Sequence, residues 1–113
     1  MKRGTVVLTP FPFTDLAGVK VRPAVIVSRT DRPGEDVILA FISSVRSPQS
    51  LPTDLPLDPS HPDFRSTGLK VPSIIKCDKL ATVEKRVILG ELGLLSGTIL
   101  HDLDQRLRHA LEL

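Results

Sequence analysis

The chain of 113 residues has one cysteine, no tryptophan and no tyrosine, and its four aromatic residues are all phenylalanines. A single cysteine excludes an intrachain disulfide and with it the disulfide-stapled scaffold of many small secreted proteins, so a cytoplasmic location is expected. The scarcity of aromatic side chains makes base stacking on single-stranded nucleic acid a poor binding mode for this chain. Any binding of nucleic acid is therefore predicted to depend on contacts with phosphates.

Long apolar runs are absent as well. The longest stretch without Asp, Glu, Lys or Arg is residues 4–14, and it contains Pro10 and Pro12. A membrane-spanning helix needs about 20 mostly apolar residues, so no membrane segment is predicted.

The usual sequence signs of a metal or cofactor site are missing too. The histidines, His61, His101 and His109, are scattered, and the chain has no CxxC, HExxH or Asp-rich loop and no phosphate-cradling Gly-rich loop. We therefore expect neither a metal nor a cofactor.

Length and charge favour one soluble domain with a basic half. At 113 residues and 41% apolar composition, residues 1–113 are expected to form a single globular domain. Fifteen Lys/Arg against thirteen Asp/Glu give a net charge of +2. Residues 1–50 hold seven basic and four acidic residues, so a phosphate-binding surface is expected in that half.

Hydrophobic periodicity predicts a mainly β fold that ends in one helix. From Ser96, a candidate N-cap, apolar residues recur at three- and four-residue steps, which is typical of an amphipathic helix. Strands without intervening helices favour an antiparallel sheet or small barrel. The predicted strands are residues 5–8, 23–28, 37–45, an edge strand at about 54–57, an extended segment at 69–77 and a short strand at 87–89.

Basic, acidic and hydroxyl side chains gather at the predicted strand ends. Metal-free RNA cleavage needs a base, an acid and donors for the phosphorane oxygens, and these residue types can supply all three. The same residue types are common on solvated sheet rims, so the pattern alone leaves both interpretations open. The residues are Lys20, Arg22, Ser43, Ser44, Arg46, Lys76 and Asp78.

The chain contains five short sequence blocks: GTVVLTPFPF (4–13), RPAVIVS (22–28), FISS (41–44), STGL (66–69) and KCDKL (76–80). In their order and spacing, these blocks resemble the PemK/MazF-like toxins of bacterial type II toxin–antitoxin systems. The resemblance implies a small SH3-like antiparallel β-barrel of the CcdB/PemK type with a C-terminal helix. It also implies a homodimer that cleaves single-stranded mRNA sequence-specifically without a metal and is neutralised by a cognate antitoxin.

The resemblance also implies roles for individual residues. Arg22 matches a catalytic arginine that stabilises the phosphorane charge and acts as, or assists, the general acid. Ser43 stands where many relatives carry a catalytic threonine. Asp78 resembles a general base, and Lys76 replaces an arginine that resembles a general acid; lysine keeps the charge but loses the guanidinium fork. The residues expected to bind RNA are Thr14, Lys20, Ser44 and Arg46.

Two departures from the family pattern keep other functions open. Residues 14–21 lack a histidine that one branch uses, and Ala81 stands where relatives carry an arginine. One alternative is a CcdB-like inhibitor of a protein target such as DNA gyrase. Another is a catalytically lapsed barrel that only binds antitoxin or nucleic acid.

Overall fold

A computed structural model describes residues 1–11, 20–31, 33–44 and 50–113. Within these ranges the chain forms six strands, two 3-10 turns and one α-helix. The 3-10 turns are Arg65–Thr67 and Lys85–Val87. The strands and helix are β1 (Thr5–Phe11), β2 (Lys20–Ile26), β3 (Asp36–Ser44), β4 (Asp54–Leu57), β5 (Ser73–Glu84), β6 (Gly90–Leu94) and α1 (Gly97–Leu111).

The strands form one antiparallel sheet with the order β4-β5-β3-β2-β1-β6. The sheet curls into a half-barrel, and α1 follows its last strand. This confirms the mainly β fold with a C-terminal helix. The strand predicted at residues 37–45 is found as the interior strand β3, with residue 45 outside the described residues, and the proline-rich segment supplies the predicted edge strand, β4.

Several strand limits differ from the sequence prediction. β2 begins at Lys20, so Lys20 and Arg22 lie inside the strand rather than before it. β5 runs from Ser73 to Glu84, beginning later and ending later than expected. The strand predicted at residues 87–89 is wrong: the chain makes a 3-10 turn first and pairs with β1 only from Gly90.

The sheet has apolar side chains on both faces, because alternate residues of each strand point to opposite sides. On one face the core includes Val6 and Val25, and Ile99 and Leu103 of α1 pack against it. The core on the other face consists of Val7, Ala24, Ile26, Val37, Leu39 and Phe41.

Helix α1 begins as the sequence predicts. The Ser96 hydroxyl accepts the Ile99 N–H at 3.3 Å and donates to Asp63 at 2.7 Å, which caps the helix and ties it to the preceding loop. Near the chain start, Arg3 donates to the Val27 carbonyl and pairs with Asp104 at 2.7 Å. In the described ranges, no helix is long and apolar enough to cross a membrane.

Candidate functional site

A cleft of about 620 Å³ lies at the end of the sheet where β2 begins and β3 ends. Its walls come from β2, β3, β5 and the segment 68–71 that follows the first 3-10 turn, together with Leu8 of β1 and Leu92 of β6. Ligand sites in proteins commonly enclose about 300–1,000 Å³. The cleft is therefore large enough for a nucleotide-sized ligand.

The sheet register brings Arg22 and Ser43 together in this cleft. β2 and β3 are antiparallel, and Ala24 pairs with Phe41. Arg22 lies two residues before Ala24, and Ser43 lies two residues after Phe41. Both side chains therefore belong to the same face and the same end of the two strands. Both residues are exposed and line the cleft.

A bulge in β5 shapes the opposite wall. Ala40 of β3 pairs with Leu80, but the next residue, Phe41, pairs with Lys76. Residues 77–79 are thus extra on β5 relative to β3. Bulges of this kind redirect side chains, because they interrupt the simple alternation of the strand.

The bulge separates two charged residues that are adjacent in sequence. Lys79 lines the cleft together with Lys76, which lies just before the bulge. Asp78 is exposed and is not among the residues that line the cleft. The aspartate expected to act as a base thus lies between two cleft lysines without itself forming part of the wall.

Lys76 is held by a buried carboxylate. Its Nζ lies 2.8 Å from Oδ1 of Asp54, whose side chain is 1% exposed, whereas that of Lys76 is 20% exposed. The other carboxylate oxygen, Oδ2, accepts the Leu51 N–H at 3.0 Å. Burial alone would raise the pKa of Asp54, but Lys76, the Leu51 N–H and the charge of Arg106 together hold it below its ordinary value. Asp54 is therefore an ionised carboxylate behind the cleft wall.

The cleft carries positive charge. Its cationic residues are Arg22, Lys70, Lys76 and Lys79, and none of the described residues that line it is acidic. Ser43 and Ser44 add exposed hydroxyls that can donate to phosphate oxygens. A cleft with this charge and these donors favours a polyanion such as nucleic acid.

Close backbone packing fixes one wall of the cleft. Gly68, with a φ of 75°, lies against the carbonyl oxygen of Leu92, and Gly93 lies against that of Ser66. A Cβ atom at either glycine would overlap the opposing backbone, and the positive φ of Gly68 is itself costly for other residues. Gly68, Leu69 and Leu92 line the cleft, so this contact between turn and strand helps to define its shape.

The structure brings together four of the predicted site residues, Arg22, Ser43, Ser44 and Lys76. Lys20, the first residue of β2, is exposed but is not among the residues that line the cleft. Thr14 and Arg46, which were expected to bind RNA, lie outside the described residues.

Sequence reasoning missed Lys70 and Lys79, which also line the cleft. Lys70 directly follows the STGL block and Lys79 lies within KCDKL, so their positions beside these blocks were the available signal. The orientation of Lys79 depends on the bulge, which no simple alternation predicts.

Metal-ligating side chains do not gather in the described ranges: no three His, Cys, Asp or Glu residues there come close enough to hold an ion. His61 instead uses Nδ1 to accept the Asp63 N–H at 3.0 Å.

A family model described as "PemK-like, MazF-like toxin of type II toxin-antitoxin system" matches residues 2–111. Among curated proteins, none matches this chain in sequence.

Solved structures of similar fold include three that match almost the whole chain. An endoribonuclease in complex with its cognate antitoxin, from a mycobacterial species, is 23% identical, with a TM-score of 0.75 over 100% of this chain and 96% of that one. The Mycobacterium tuberculosis toxin MazF-mt6 is 22% identical, with a TM-score of 0.75 over 96% of this chain and 97% of that one. A MazE–MazF structure from Deinococcus radiodurans is 16% identical, with a TM-score of 0.72 over 100% of this chain and 96% of that one.

Proposed function

Because the chain belongs to the PemK-like, MazF-like toxin family of type II toxin–antitoxin systems, we propose that it is an endoribonuclease that cleaves single-stranded mRNA without a metal ion. The observation that carries the proposal is the convergence of Arg22, Ser43 and Lys76 in one basic cleft. The names of the similar structures, which include an endoribonuclease, support the same activity.

The reaction joins the 2′-oxygen of one ribose to the neighbouring phosphorus and breaks the bond from phosphorus to the 5′-oxygen. A base takes the proton of the 2′-hydroxyl, and an acid returns a proton to the departing 5′-oxygen. In the transition state between these two proton transfers, negative charge builds up on the phosphoryl oxygens. Fixed cations and hydroxyl donors that face those oxygens lower the barrier.

In the proposed mechanism, Arg22 binds the scissile phosphate and acts as, or assists, the acid that protonates the departing 5′-oxygen. A guanidinium can donate two parallel hydrogen bonds to phosphate oxygens, and it stays protonated at any physiological pH. The Ser43 hydroxyl, on the same face and at the same end of the sheet, donates a further hydrogen bond. Lys70 and Lys79 extend the positive surface along the RNA backbone.

Asp78 remains the proposed base. It is exposed and lies in the bulge between two cleft residues, Lys76 and Lys79. The assignment rests on the resemblance of the KCDKL block to that of the family.

The proposal also covers assembly and location. We propose one catalytic domain of residues 1–113 that forms a homodimer in the cytoplasm and is neutralised by a cognate antitoxin. Similar structures described as an endoribonuclease with its antitoxin and as a MazE–MazF complex support an antitoxin partner. The basic cleft suggests that an acidic segment of the antitoxin competes with RNA.

The experiment that tests this function is cleavage of a long RNA in EDTA, followed by mapping of the fragment ends. We expect discrete cuts that leave 2′,3′-cyclic phosphate and 5′-hydroxyl ends. Arg22→Ala should abolish them, whereas Arg86→Ala, which removes an exposed arginine elsewhere, should not. Cleavage that needs an added metal, or full activity of folded Arg22→Ala, would contradict the proposal.

A further inference from the structure

Four hydrogen bonds hold the turn that carries Asp54. Oδ2 of Asp54 accepts the Leu51 N–H at 3.0 Å, and the Asp54 N–H donates to the Leu51 carbonyl at 2.9 Å. Arg106 of α1 donates to the Pro52 carbonyl at 2.9 Å, and the Cys77 N–H donates to the Thr53 carbonyl at 3.2 Å. One bond therefore holds the carboxylate through Oδ2, and the other three hold the backbone around it.

The other carboxylate oxygen, Oδ1, is buried and contacts Lys76. It lies 2.8 Å from Nζ of Lys76, a residue that lines the cleft with Arg22 and Ser43. A lysine side chain is long and flexible, and an exposed one has many rotamers to lose when it binds a ligand. Pairing with a fixed carboxylate removes that freedom in advance and leaves the other ammonium N–H groups available.

We propose that Asp54 is a positioning residue: its buried carboxylate holds the Lys76 ammonium at the cleft wall, where Lys76 acts on an RNA phosphate by its charge and not as a proton donor. This inference rests on the proposed function and gives Lys76 a part other than the general-acid role that the family resemblance implies at this position. It also explains why the buried carboxylate of Asp54 lies next to a cleft that is proposed to bind RNA phosphates.

Binding of an uncleavable RNA provides the sharpest test. Asp54→Asn removes a negative charge beside a basic cleft, so simple electrostatics predicts tighter RNA binding. The positioning role predicts weaker RNA binding, because without the Asp54 carboxylate the Lys76 side chain has to lose its rotamer freedom when the RNA binds. We expect Asp54→Asn to weaken binding of a 2′-O-methyl oligonucleotide roughly fivefold, measured by fluorescence anisotropy. Tighter or unchanged binding would overturn the inference.

Controls separate positioning from general loss of structure. Asp58→Asn removes an exposed carboxylate of the same segment, which accepts hydrogen bonds from the N–H and hydroxyl of Ser60, and should leave RNA binding unchanged. The double variant Asp54→Asn/Lys76→Gln should bind no more weakly than Lys76→Gln alone, since Asp54 acts through Lys76. Additive losses would show that Asp54 acts in another way.

Cleavage kinetics then test the role of Lys76. Lys76→Arg keeps the charge. We expect it to retain most of kcat, whereas Lys76→Gln should lose at least about tenfold. Because the family resemblance makes an arginine here a candidate acid, a second substrate separates the two roles: a 5′-sulfur leaving group departs without protonation, and Lys76→Gln should cleave such an RNA with the same relative loss. An equal loss in Lys76→Arg and Lys76→Gln, or rescue of Lys76→Gln by the sulfur substrate, would overturn the charge role. If the wild type binds RNA but does not cleave it, the proposed function fails, while the binding measurements still decide the inference about Asp54.

Discussion

The backbone of Gly93 packs directly against the carbonyl oxygen of Ser66, so closely that a Cβ atom at position 93 would overlap it. This contact joins β6 to the first 3-10 turn beside the cleft. We predict that Gly93→Ala forces the two segments apart and destabilises the fold by about 1–3 kcal/mol. Urea unfolding measures this change.

Gly90 offers a matched control for that prediction in the same strand. A Cβ atom there would meet nothing within 4 Å. We expect Gly90→Ala to change the free energy of unfolding by less than about 1 kcal/mol. Equal losses at both positions would refute a specific role for the contact between Gly93 and Ser66.

The stability of the protein should depend on the charge of Asp54 in acid. The pKa of this carboxyl is held below its ordinary value of 3.8 in the folded chain. A lowered folded pKa contributes stability above the unfolded pKa, and that contribution is lost as the pH falls through the folded value. We predict that wild type exceeds Asp54→Asn in free energy of unfolding by about 1–3 kcal/mol near neutral pH.

This difference should shrink below about pH 4, the ordinary range of an aspartate pKa. Chemical denaturation of both proteins at a series of pH values measures this difference. The effects of the other carboxylates cancel in the difference, because both proteins share them. A difference that stays constant down to pH 2 would show that charge on Asp54 contributes nothing.

Cys77 should be chemically inert in the folded protein. Burial raises the pKa of its thiol to about 11, with the nearby carboxylates of Asp54 and Asp78 adding to the effect against the opposing charge of Arg106. At pH 8 only about one thiol in a thousand is then ionised. We predict that iodoacetamide labels the native protein far more slowly than the urea-unfolded chain, as followed by mass spectrometry. Fast labelling of the native state would contradict this.

The Ser43 hydroxyl should contribute to cleavage. We expect Ser43→Ala to lower kcat by about 10- to 100-fold, a typical loss for a donor to developing negative charge. Ser43→Thr keeps the hydroxyl and should retain most of the activity, and Ser60→Ala, outside the cleft, should behave as wild type. Steady-state cleavage of a short RNA distinguishes these variants, and an active Ser43→Ala would remove this residue from the mechanism.

The sequence was most informative where local signals and burial agree. Helix α1 begins after Ser96 as predicted, because a hydroxyl cap and a 3.6-residue apolar period coincide there. Strand β6 was missed, since Gly90 and Gly93 disfavour a strand by local propensity. Its formation depends on pairing with β1, a long-range contact that local sequence does not reveal.

The candidate site was only partly predictable for the same reason. Arg22 and Ser43 were identified through short blocks, and the β2–β3 register then brings them together. Asp54 was not identified as the partner of Lys76, because the two residues are far apart in sequence and Asp54 belongs to a proline-rich segment. Lys79 was missed because its placement depends on the bulge.

Asp78 and Lys79 of β5 are exposed and occupy positions where β3 supplies no backbone partner, whereas Cys77 beside them is buried in the core. Side-chain changes at positions 78 and 79 therefore remove neither a β3–β5 ladder bond nor a core contact. Descendants of this protein can consequently diverge in the charges that these two positions present to a substrate while they inherit the sheet unchanged.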